Sequence, residues 1–453
     1  MMPRESPLLT DLYELTMVQA YCCRGLTKTA VFEFFVRRLP ASRNFLVAAG
    51  LEQALEFLEG LRFSPEDLAW IEGCGRFRPG FADYLERLRF TGDVHAMPEG
   101  TVFFADEPIL RVTAPLPEAQ LVETRLINLL QFQTMVASKA VRCVLAAPGK
   151  KLVDFGLRRA HGAEAGLLAA RASFLAGFAG TSAALAAPAF GVPVFGTMAH
   201  SFVQVFDDEA AAFVAFARAN PGNVTLLLDT YDTEAGAVKA AAAVKTLARE
   251  GIGVRSVRLD SGNLGLHARR VRAILDGAGL RDVAIFASGD LDEHALRRLT
   301  DEGAPIDGYG VGTRMSTSAD APSLDCAYKL EEYGGTPRRK RSEGKTTWPG
   351  RKQVFRRAGS SARSAFDVLT VDGDPQEGEP LLELVMRAGE RVRPAPSLLD
   401  ARERARAQVE SLPDPLRGLA KAEPYRVEVS PALQELTRRL DREAAGLTGG
   451  RAR

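Results

Sequence analysis

The sequence predicts an α/β protein in which a series of βα units forms a parallel sheet or barrel and the two ends of the chain form a second domain. Two observations carry this prediction. In the middle of the chain, short apolar runs alternate with helical stretches at intervals of roughly 25 to 40 residues, the spacing of βα units. Before and after that region, strands and helices mix without this alternation. We therefore expect three segments: residues 1–117, 118–329 and 330–453.

The first segment predicts an α/β domain. Its opening helix can be capped by Thr10 or Asp11, and its first strand alternates polar and apolar residues until it ends at Pro40. The remainder is rich in strand-forming residues and in Gly and Pro turn signals. The predicted elements are a helix over 8–23, a strand over 30–40, a second helix over 45–61 and strands within 93–116.

The middle segment predicts the repeated units. A long helix over 118–147 comes first, and later helices cover 233–250 and 267–279. Strands buried on both faces of a parallel sheet read as nearly continuous apolar runs, and six such runs occur here. They cover residues 151–156, 192–196, 224–230, 254–262, 283–290 and 306–313.

The last segment predicts strands with hairpin turns over 365–390 and a helix over 397–412, and we expect it to return to the domain formed by the first segment. Residues 338–357 are strongly basic. Nucleic-acid surfaces combine such charge with interleaved aromatic residues, which this run lacks, so we expect a solvated hairpin or loop and no nucleic-acid partner.

Composition narrows the classes of function. The chain has 453 residues and a net charge of +1, from 58 Lys and Arg against 57 Asp and Glu, so no global field favours nucleic acid or an anionic membrane. Its five cysteines form no CxxC pair, which indicates reduced thiols. The N-terminus lacks a basic stretch followed by an apolar core, and no apolar run is long enough to span a membrane. We expect a cytoplasmic protein without a membrane partner.

Polar and glycine residues recur where the predicted strands end. In (β/α) barrels the functional groups lie at these carboxyl ends, because the loops there converge over one mouth. His200 is the least expected of them: by type it can ligate a metal, move protons, accept a phosphoryl group or simply pack. The paired Arg158 and Arg159 suit bidentate contact with carboxylate or phosphate, and we expect one of the two to face the site. The strand-end residues are Asp154, Arg158, Thr197, His200, Asp229, Asp232, Arg258, Asp260, Ser288, Asp290, Gly310, Gly312 and Thr313.

Arg258 and Asp260 are two residues apart on one predicted strand, so their side chains point to the same face. Such a pair presents a cation and an anion to a ligand or forms an internal salt bridge, and the spacing alone leaves both interpretations open. Glycine-rich stretches at 260–263 and 308–313 expose backbone N–H groups that suit phosphate, although each is also compatible with a simple turn.

Nine stretches follow one another along the chain: TDLYELTM (10–17), FEFFVRRLP (32–40), DFGLRRAHG (154–162), GTMAHSF (196–202), LLDTYDT (227–233), VRLDSGNL (257–264), GVGT (310–313), DAPSLDCAYKL (320–330) and PGRKQVFR (349–356). In this order they resemble the nicotinate phosphoribosyltransferases, a family of type II phosphoribosyltransferases. The resemblance implies an irregular (β/α) barrel plus an α/β domain built from both chain ends, in a homodimer. It also implies synthesis of nicotinate mononucleotide from nicotinate and phosphoribosyl pyrophosphate, for NAD salvage, with Mg²⁺ and coupled ATP hydrolysis.

The resemblance further implies residue roles. His200 matches the histidine that ATP transiently phosphorylates, and a neutral imidazole is a competent nucleophile towards phosphorus. Tyr13 suits stacking on the pyridine ring. The residues matched to nicotinate contacts are Tyr13, Thr197, Arg158 and Arg258. Those matched to phosphate contacts are Ser261, Gly262, Gly310, Gly312 and Thr313. Asp229 and Asp260 match acids that we expect to hold the ribose hydroxyls or Mg²⁺.

Three positions bear on alternatives. Ser182 stands where related nicotinamide enzymes carry an acid; a hydroxyl tolerates the carboxylate of nicotinate, so we favour nicotinate and keep nicotinamide as the alternative substrate. Asn263 and Ala183 depart from the residues common in relatives, aspartate and asparagine. Asn263 keeps open a third hypothesis, a weakly catalytic nucleotide-binding protein. The chain has no C-terminal cysteine cluster, so we expect no zinc.

Overall fold

The computed structural model describes residues 6–357, 359 and 365–449. The chain forms two compact units, one comprising Met1–Met135 and Ser323–Arg453 and the other Val136–Pro322. Both chain ends thus belong to one unit, which we call the terminal unit, and the middle segment forms the barrel unit. The divisions follow Met135 and Pro322, whereas the sequence placed them at 117/118 and 329/330.

The first stretch of the terminal unit alternates helices and strands, and its last helix continues into the barrel unit. The elements are α1 (Leu12–Arg24), β1 (Thr29–Val36), β2 (Leu46–Val47), α2 (Leu51–Glu59), α3 (Pro65–Gly73), α4 (Phe81–Arg87), β3 (Asp93–Ala96), β4 (Val102–Phe103), β5 (Pro108–Pro115), α5 (Leu116–Leu121) and α6 (Glu123–Ala146).

Three local predictions for this stretch are wrong. The helix predicted over 45–61 begins only at Leu51, because residues before it form β2, and Gly50 has φ +99°, where a Cβ would lie 2.7 Å from the Leu129 carbonyl oxygen. Asp11 precedes α1 without capping it: its Oδ2 accepts a hydrogen bond from the Thr124 hydroxyl at 3.2 Å instead. The long helix predicted over 118–147 divides into α5 and α6.

The barrel unit contains the repeated units. Its elements after α6 are β6 (Lys151–Asp154), a 3₁₀ turn (Leu157–Arg159), α7 (Ala163–Leu175), β7 (Gly180–Thr181), α8 (Ala186–Phe190), α9 (His200–Gln204), α10 (Glu209–Ala219), β8 (Val224–Leu227), α11 (Thr233–Arg249), β9 (Val254–Leu259), α12 (Leu264–Gly277), β10 (Ala284–Ser288), α13 (Glu293–Asp301), β11 (Gly308–Val311) and α14 (Thr313–Ser316).

The barrel sheet has the strand order β7, β6, β11, β10, β9, β8, and every neighbouring pair is parallel. Helices such as α11 and α12 cover the outer face of this sheet and bury the apolar strand residues that point outward, such as Val257 and Leu259 of β9. Asp232 and Asn263 accept hydrogen bonds from the first turns of these two helices, which fixes where each helix begins after its strand.

Residues 193–197 lie between the two edge strands of this sheet, β7 and β8, and hydrogen bond to both. On the β7 side, the Thr181 N–H donates to the Pro193 carbonyl at 3.0 Å and the Phe195 N–H to the Thr181 carbonyl at 2.8 Å. On the β8 side, the Thr197 hydroxyl donates to the Thr225 carbonyl at 2.7 Å. The sheet is therefore an irregular barrel whose seam has few backbone hydrogen bonds. This confirms the predicted fold class.

The seam also corrects one strand prediction. Residues 192–196 make a single bridge, between Thr181 and Val194, and form no ladder, because Pro193 has no N–H to donate. The strand of this βα unit is β7 instead, whose two residues carry no apolar run and give no strand signal in the sequence.

The final stretch returns to the terminal unit as predicted: β12 pairs antiparallel with β1, and β17 pairs with β3. The basic residues Arg339 and Arg341 form ion pairs with Asp441 of the last helix. The elements are β12 (Cys326–Tyr333), β13 (Thr336–Pro337), β14 (Lys352–Arg357), β15 (Phe366–Val371), β16 (Glu379–Pro380), β17 (Glu383–Arg387), β18 (Glu390–Arg391), α15 (Leu398–Ser411), α16 (Asp414–Arg417), β19 (Val427–Val429) and α17 (Pro431–Gly449).

The strands of the terminal unit form three sheets, in the orders β13-β12-β1-β5-β3-β17-β18, β16-β14-β15-β19 and β2-β4. All five cysteines, which lie in the described residues, are free thiols. Within the described part of the chain, no helix has the length and apolar composition that crossing a membrane requires.

Candidate active site at the strand ends of the barrel

The carboxyl ends of β9 and β10 bring together a cation, a carboxylate and a hydroxyl. Arg258 Nη2 lies 2.7 Å from Asp260 Oδ1, and Arg258 Nε donates to Ser288 Oγ at 2.8 Å. The Ser288 hydroxyl donates to Asp260 Oδ1 at 2.5 Å. Arg258 and Asp260 thus form the internal salt bridge that their spacing allowed, and Ser288 from the neighbouring strand completes a closed triangle.

This triangle keeps Asp260 ionised. Partial burial on its own raises the pKa of a carboxyl group, but the charge of Arg258 and the hydrogen bonds from Ser288 and Arg258 outweigh it. The nearby His200 acts in the same direction. The pKa of Asp260 therefore lies below its ordinary value, and the site holds a permanent negative charge at neutral pH.

Asp229, at the end of β8, is tied to the next loop. Its Oδ2 accepts from the Asp260 N–H at 2.9 Å and from the Ser261 hydroxyl at 2.5 Å. Its Oδ1 is buried and has no hydrogen-bond partner among the described residues. A buried carboxylate oxygen without a donor is costly, which indicates that this atom meets a ligand or a cation. We call Asp229, Arg258, Asp260, Ser288 and His200 the strand-end cluster.

His200 is the first residue of α9 and faces this cluster. Its Nδ1 lies 3.2 Å from the Thr230 hydroxyl, and its Nε2 lies 3.7 Å from Asp260 Oδ2. Thr230 directly follows Asp229 at the end of β8, so the loops after two different strands hold the imidazole. One ring nitrogen is thereby fixed by a hydroxyl, and the other points to the acid at the centre of the cluster.

The loop after β9 has a conformation that suits glycine. Gly262 has φ +74°, and a Cβ there would lie 2.8 Å from His267 Nε2. His267 is in turn fixed by Glu234, whose Oε1 lies 3.0 Å from the imidazole Nδ1. Asn263 accepts from the Leu266 N–H at 3.1 Å as the cap of α12, which gives the departure at this position a structural role.

The glycines at the end of β11 differ in surroundings from simple loop glycines. Gly310 lies within the strand, and a Cβ there would lie 2.5 Å from the Phe155 ring; a Cβ on Gly312 would lie 2.9 Å from the Phe155 carbonyl oxygen. The lack of a side chain at both positions lets Phe155 pack, and the predicted contact of these glycines with phosphate stays a prediction. Thr313 follows as the exposed first residue of α14, and Arg314 pairs with Asp290 across the mouth.

Other predicted ligand residues lie apart from the cluster or are already hydrogen bonded. The Thr197 hydroxyl is used at the barrel seam. Arg158 is exposed in the 3₁₀ turn and makes no ion pair with a described residue. Tyr13 belongs to α1 of the terminal unit, where its side chain is 47% exposed.

Sequence reasoning missed two contacts near the cluster. The Arg258 guanidinium lies over the Phe155 ring, and its carbon is 5.3 Å from the ring centroid. Asp154 is fully buried, accepts from the Thr181 hydroxyl at 2.7 Å and from the Gly156 N–H at 2.7 Å, and burial raises its pKa to about 6. The sequence places Asp154 at a strand end. It does not predict the partner Thr181, because Thr181 lies on β7, which no sequence pattern marks as a strand.

The chain matches known proteins over most of its length. Family models described as the N-terminal domain, the family domain and the C-terminal domain of nicotinate phosphoribosyltransferase match residues 8–131, 150–267 and 370–437. The nicotinate phosphoribosyltransferase pncB2 of Mycobacterium tuberculosis is 51% identical over 91% of this chain and 89% of its own. The chain belongs to the nicotinate phosphoribosyltransferase family.

Other members of the nicotinate phosphoribosyltransferase family agree with this assignment. The Bacillus subtilis nicotinate phosphoribosyltransferase is 40% identical over 77% of this chain and 72% of its own. The crystal structure of the human nicotinic acid phosphoribosyltransferase superposes with a TM-score of 0.85 at 33% identity, over 95% of this chain and 99% of that chain. The resemblance predicted from nine sequence stretches is therefore confirmed, and the irregular barrel is the fold of this family.

The carboxylates of the strand-end cluster fit a Mg²⁺ ion that is held by one or two protein ligands together with water and substrate phosphates. Among the described residues, no three His, Cys, Asp or Glu side chains group as a metal cage. Protein-bound Mg²⁺ often keeps several waters and uses one or two carboxylates plus substrate phosphates. The unpartnered Oδ1 of Asp229 and the Oδ2 of Asp260 provide two such carboxylate oxygens.

Proposed function

We propose that this protein transfers the phosphoribosyl group of phosphoribosyl pyrophosphate to nicotinate, giving nicotinate mononucleotide and pyrophosphate, and that hydrolysis of ATP through His200 drives the transfer. The observation that carries the proposal is the position of the imidazole: Nε2 lies 3.7 Å from Asp260 Oδ2, inside the cluster that holds Arg258 and Ser288.

The transfer breaks the bond between the anomeric carbon and pyrophosphate and forms a bond from that carbon to the pyridine nitrogen. The carbon gains positive charge between these two events, so a fixed negative charge stabilises it. Asp260 supplies that charge because Arg258 and Ser288 hold its pKa low. Arg258 supplies a cation for the nicotinate carboxylate or a sugar phosphate, and no nucleophile from the protein attacks carbon.

Asp229 and Asp260 are the residues that would hold Mg²⁺. When bound, Mg²⁺ neutralises charge on the departing pyrophosphate. Asp229 also orients the neighbouring loop, because one carboxylate oxygen receives both the Asp260 N–H and the Ser261 hydroxyl. Ser261 and Gly262 stay the predicted phosphate contacts on this side of the mouth, and Gly310, Gly312 and Thr313 stay the predicted contacts after β11.

In the ATP-driven half of the cycle, a lone pair on the imidazole attacks the γ-phosphorus, the N–P bond forms and ADP leaves. We assign Nε2 as the attacking atom. In the tautomer that we assign, Nδ1 carries the proton and donates a hydrogen bond to Thr230 Oγ1, 3.2 Å away, so the Nε2 lone pair points into the cluster. Water later cleaves the N–P bond and releases phosphate.

Nicotinate is the favoured base. Ser182 follows β7 as an exposed hydroxyl and places no negative charge near the substrate carboxylate. Tyr13 stays a predicted contact for the pyridine ring, and a homodimer and a cytoplasmic location stay predictions from the sequence. Size-exclusion chromatography with light scattering tests the homodimer directly.

The test of the proposal is the phosphate on His200. Protein incubated with ATP labelled at the γ-phosphate is expected to carry an acid-labile phosphate, found by mass spectrometry on the peptide containing residue 200. His200→Ala is expected to lose both this label and the stimulation of nicotinate mononucleotide synthesis by ATP.

The matched control is His294→Ala, since His294 is an exposed histidine on α13 outside the cluster; it should keep the label and the stimulation. A label that persists in His200→Ala, or full ATP stimulation without any label, would contradict the proposal. Competition between nicotinate and nicotinamide as substrates tests the choice of base in the same assay.

A further inference from the structure

A group of buried charges in the barrel unit joins α6 to the segments that follow β10 and β11, and the proposed reaction gives it no task. Lys139 of α6 is at its centre: Nζ lies 2.5 Å from Glu293 Oε2 and 3.0 Å from Asp320 Oδ1. Glu293 also accepts a hydrogen bond from Arg142 Nε at 2.9 Å. We call Lys139, Arg142, Glu293 and Asp320 the Lys139 network. The first three side chains are buried, and that of Asp320 is 16% exposed.

Stability alone gives little reason for the Lys139 network. Taking charges out of water is costly, and apolar side chains of similar size often stabilise an interior as well as a buried ion pair does. Burial on its own raises the pKa of Glu293, but Lys139 and Arg142 outweigh it, so the pKa lies below its ordinary value and the acid stays ionised. Paired charges provide direction, because each pair holds two particular atoms together. The elements that the network joins therefore indicate its role.

The first joined element is the segment after β11. Thr313, a predicted phosphate contact, lies at its start, and Asp320 lies near its end. Short hydrogen bonds run through the residues between them. The Thr317 N–H and hydroxyl both donate to the Thr313 carbonyl, at 3.0 and 2.7 Å, and the Ala321 N–H donates to the Ser318 carbonyl at 2.8 Å. A displacement of Asp320 therefore reaches Thr313 through a short, hydrogen-bonded turn.

Ser318 makes this turn dependent on contacts from outside it. The residue is fully buried, and its φ of +46° lies in the left-handed region, which residues other than glycine rarely adopt. A residue held in that region persists only where its surroundings over-determine its conformation, and such strain collects at functional sites. The ion pair between Asp320 and Lys139 is a contact of this kind, because it anchors the turn to α6 two residues after Ser318.

The second joined element is the loop after β10. Glu293 is the first residue of α13 and follows Gly289 of this loop by four residues. Gly289 packs on the strand-end cluster, since a Cβ there would lie 2.1 Å from the Asp260 carbonyl oxygen. Arg297 Nη2 donates to the Leu145 carbonyl at 2.8 Å, which is a further tie between α13 and α6. The place of α13 on α6 therefore determines how the loop after β10 meets Asp260.

We propose that Lys139 is a positioning residue for the binding of phosphoribosyl pyrophosphate. Through Asp320 it holds the strained turn that begins at Thr313, and through Glu293 it holds the loop that packs on the strand-end cluster. Contacts to phosphate need donors at fixed places, so a displaced turn weakens binding of the substrate that carries the phosphates. Nicotinate carries none, and its binding does not depend on this turn.

The test compares two substrates in two measurements. Because this role of Lys139 rests on the proposed function, the wild type is assayed first, and a wild type that makes no nicotinate mononucleotide would count against that function. Binding of phosphoribosyl pyrophosphate in the presence of Mg²⁺, followed by calorimetry, tests the Lys139 network independently of turnover. Lys139→Met removes both ion pairs but also unpairs a fully buried acid, so the milder Asp320→Asn carries the test.

Asp320→Asn removes the charge of one partner and keeps the shape of its side chain. We expect the dissociation constant and the KM for phosphoribosyl pyrophosphate to rise about tenfold, while kcat and the KM for nicotinate stay within about twofold of the wild type. Asp282→Asn is the matched control, since Asp282 is an exposed acid before β10, at the other end of that strand, and it should keep the values of the wild type.

Ser318→Gly supplies a rescue that a general loss of stability would not show. Glycine adopts a φ of +46° without strain, so the turn keeps its shape without the ion pair. Ser318→Gly combined with Asp320→Asn should therefore bind phosphoribosyl pyrophosphate within about threefold of the wild type.

Any of three results would overturn the proposal. The first is an Asp320→Asn variant that binds phosphoribosyl pyrophosphate as tightly as the wild type. The second is an equal loss of affinity for phosphoribosyl pyrophosphate and nicotinate, which is what a merely structural role of Lys139 predicts. The third is a double variant in which Ser318→Gly restores none of the affinity that Asp320→Asn removes.

Discussion

Two groups of charged side chains, one in each unit, contain similar chemical groups in different surroundings. In the strand-end cluster, the Arg258 and Asp260 side chains remain 12% and 23% exposed. In the terminal unit, Lys352 Nζ lies 2.9 Å from Glu33 Oε2 and 3.7 Å from Glu331 Oε2, and all three side chains are at most 3% exposed. We call these last three residues the Lys352 cluster.

The surroundings give the carboxyl groups opposite properties. Burial, reinforced by the charge of Glu33, raises the pKa of Glu331 to about 8 despite the nearby Lys352, so this acid holds a proton at neutral pH. In the strand-end cluster, Arg258 and Ser288 overcome a weaker burial effect and keep Asp260 negative. One lysine shared by two buried acids stabilises a fold, whereas an acid with its own arginine and hydroxyl provides a fixed charge for chemistry.

The largest expected effect comes from removing the shared cation. Lys352→Met leaves the carboxylate of Glu33 buried without a positive charge, and we expect the free energy of unfolding to fall by about 3–5 kcal/mol. Urea denaturation measures this loss. The control, Lys340→Met, removes an exposed lysine from the same segment and should leave stability unchanged. A loss below about 1 kcal/mol for Lys352→Met would show that the cluster does not depend on its lysine.

In the strand-end cluster the same kind of change should affect rate and not stability. Asp260→Asn removes the negative charge but keeps the shape of the side chain, and we expect kcat/KM for nicotinate to fall about 10²- to 10³-fold. The melting temperature should change little, because Asp260 is partly exposed. Asp276→Asn on α12, an exposed acid paired with Arg272, is the control for activity. Equal activity in Asp260→Asn and Asp276→Asn would remove Asp260 from the reaction.

The strands of the barrel sheet show how much of the fold the sequence can predict. Strands β8, β10 and β11 were predicted because they are mostly apolar, and β9, which carries Arg255 and Arg258, because its apolar residues Val254, Val257 and Leu259 still mark a strand. Strand β7 was not, since two residues, Gly180 and Thr181, form it and no pattern marks so short a strand. The run at 192–196 has the composition of a strand, but Pro193 keeps it from pairing as one.

For the site, the rule that function collects at strand ends predicted Asp229, Arg258, Asp260 and His200 as a group. Their partners depend on strand order, which a single sequence does not contain. Ser288 reaches Asp260 because β10 lies beside β9, and Asp229 reaches Ser261 because β8 does. The packing of Phe155 on Gly310 likewise depends on β6 lying beside β11.

A smaller effect, in stability as a function of pH, separates the two clusters again. The folded protein keeps a proton on Glu331 that the unfolded chain loses above the ordinary pKa of 4.5. The stabilisation from this group is therefore complete below that pKa and disappears as the pH rises through about 8. We expect the melting temperature to fall between pH 6 and pH 8.5, and to fall less in Glu331→Gln, whose side chain stays neutral. An identical fall in both proteins would assign the pH dependence to other groups.

The smallest effect is expected from an ion pair that resembles both clusters in chemistry but lies in solvent. Arg218 and Glu250 form two hydrogen bonds on the surface of the barrel unit, at 2.9 and 2.6 Å. Water solvates both charges nearly as well when they are apart, so Arg218→Ala should leave the melting temperature and its dependence on salt within the error of the measurement. Scanning calorimetry at low and high salt checks this. A measurable loss would mean that charge pairing by itself stabilises this protein, and the difference between the Lys352 cluster and the strand-end cluster could then no longer be attributed to burial.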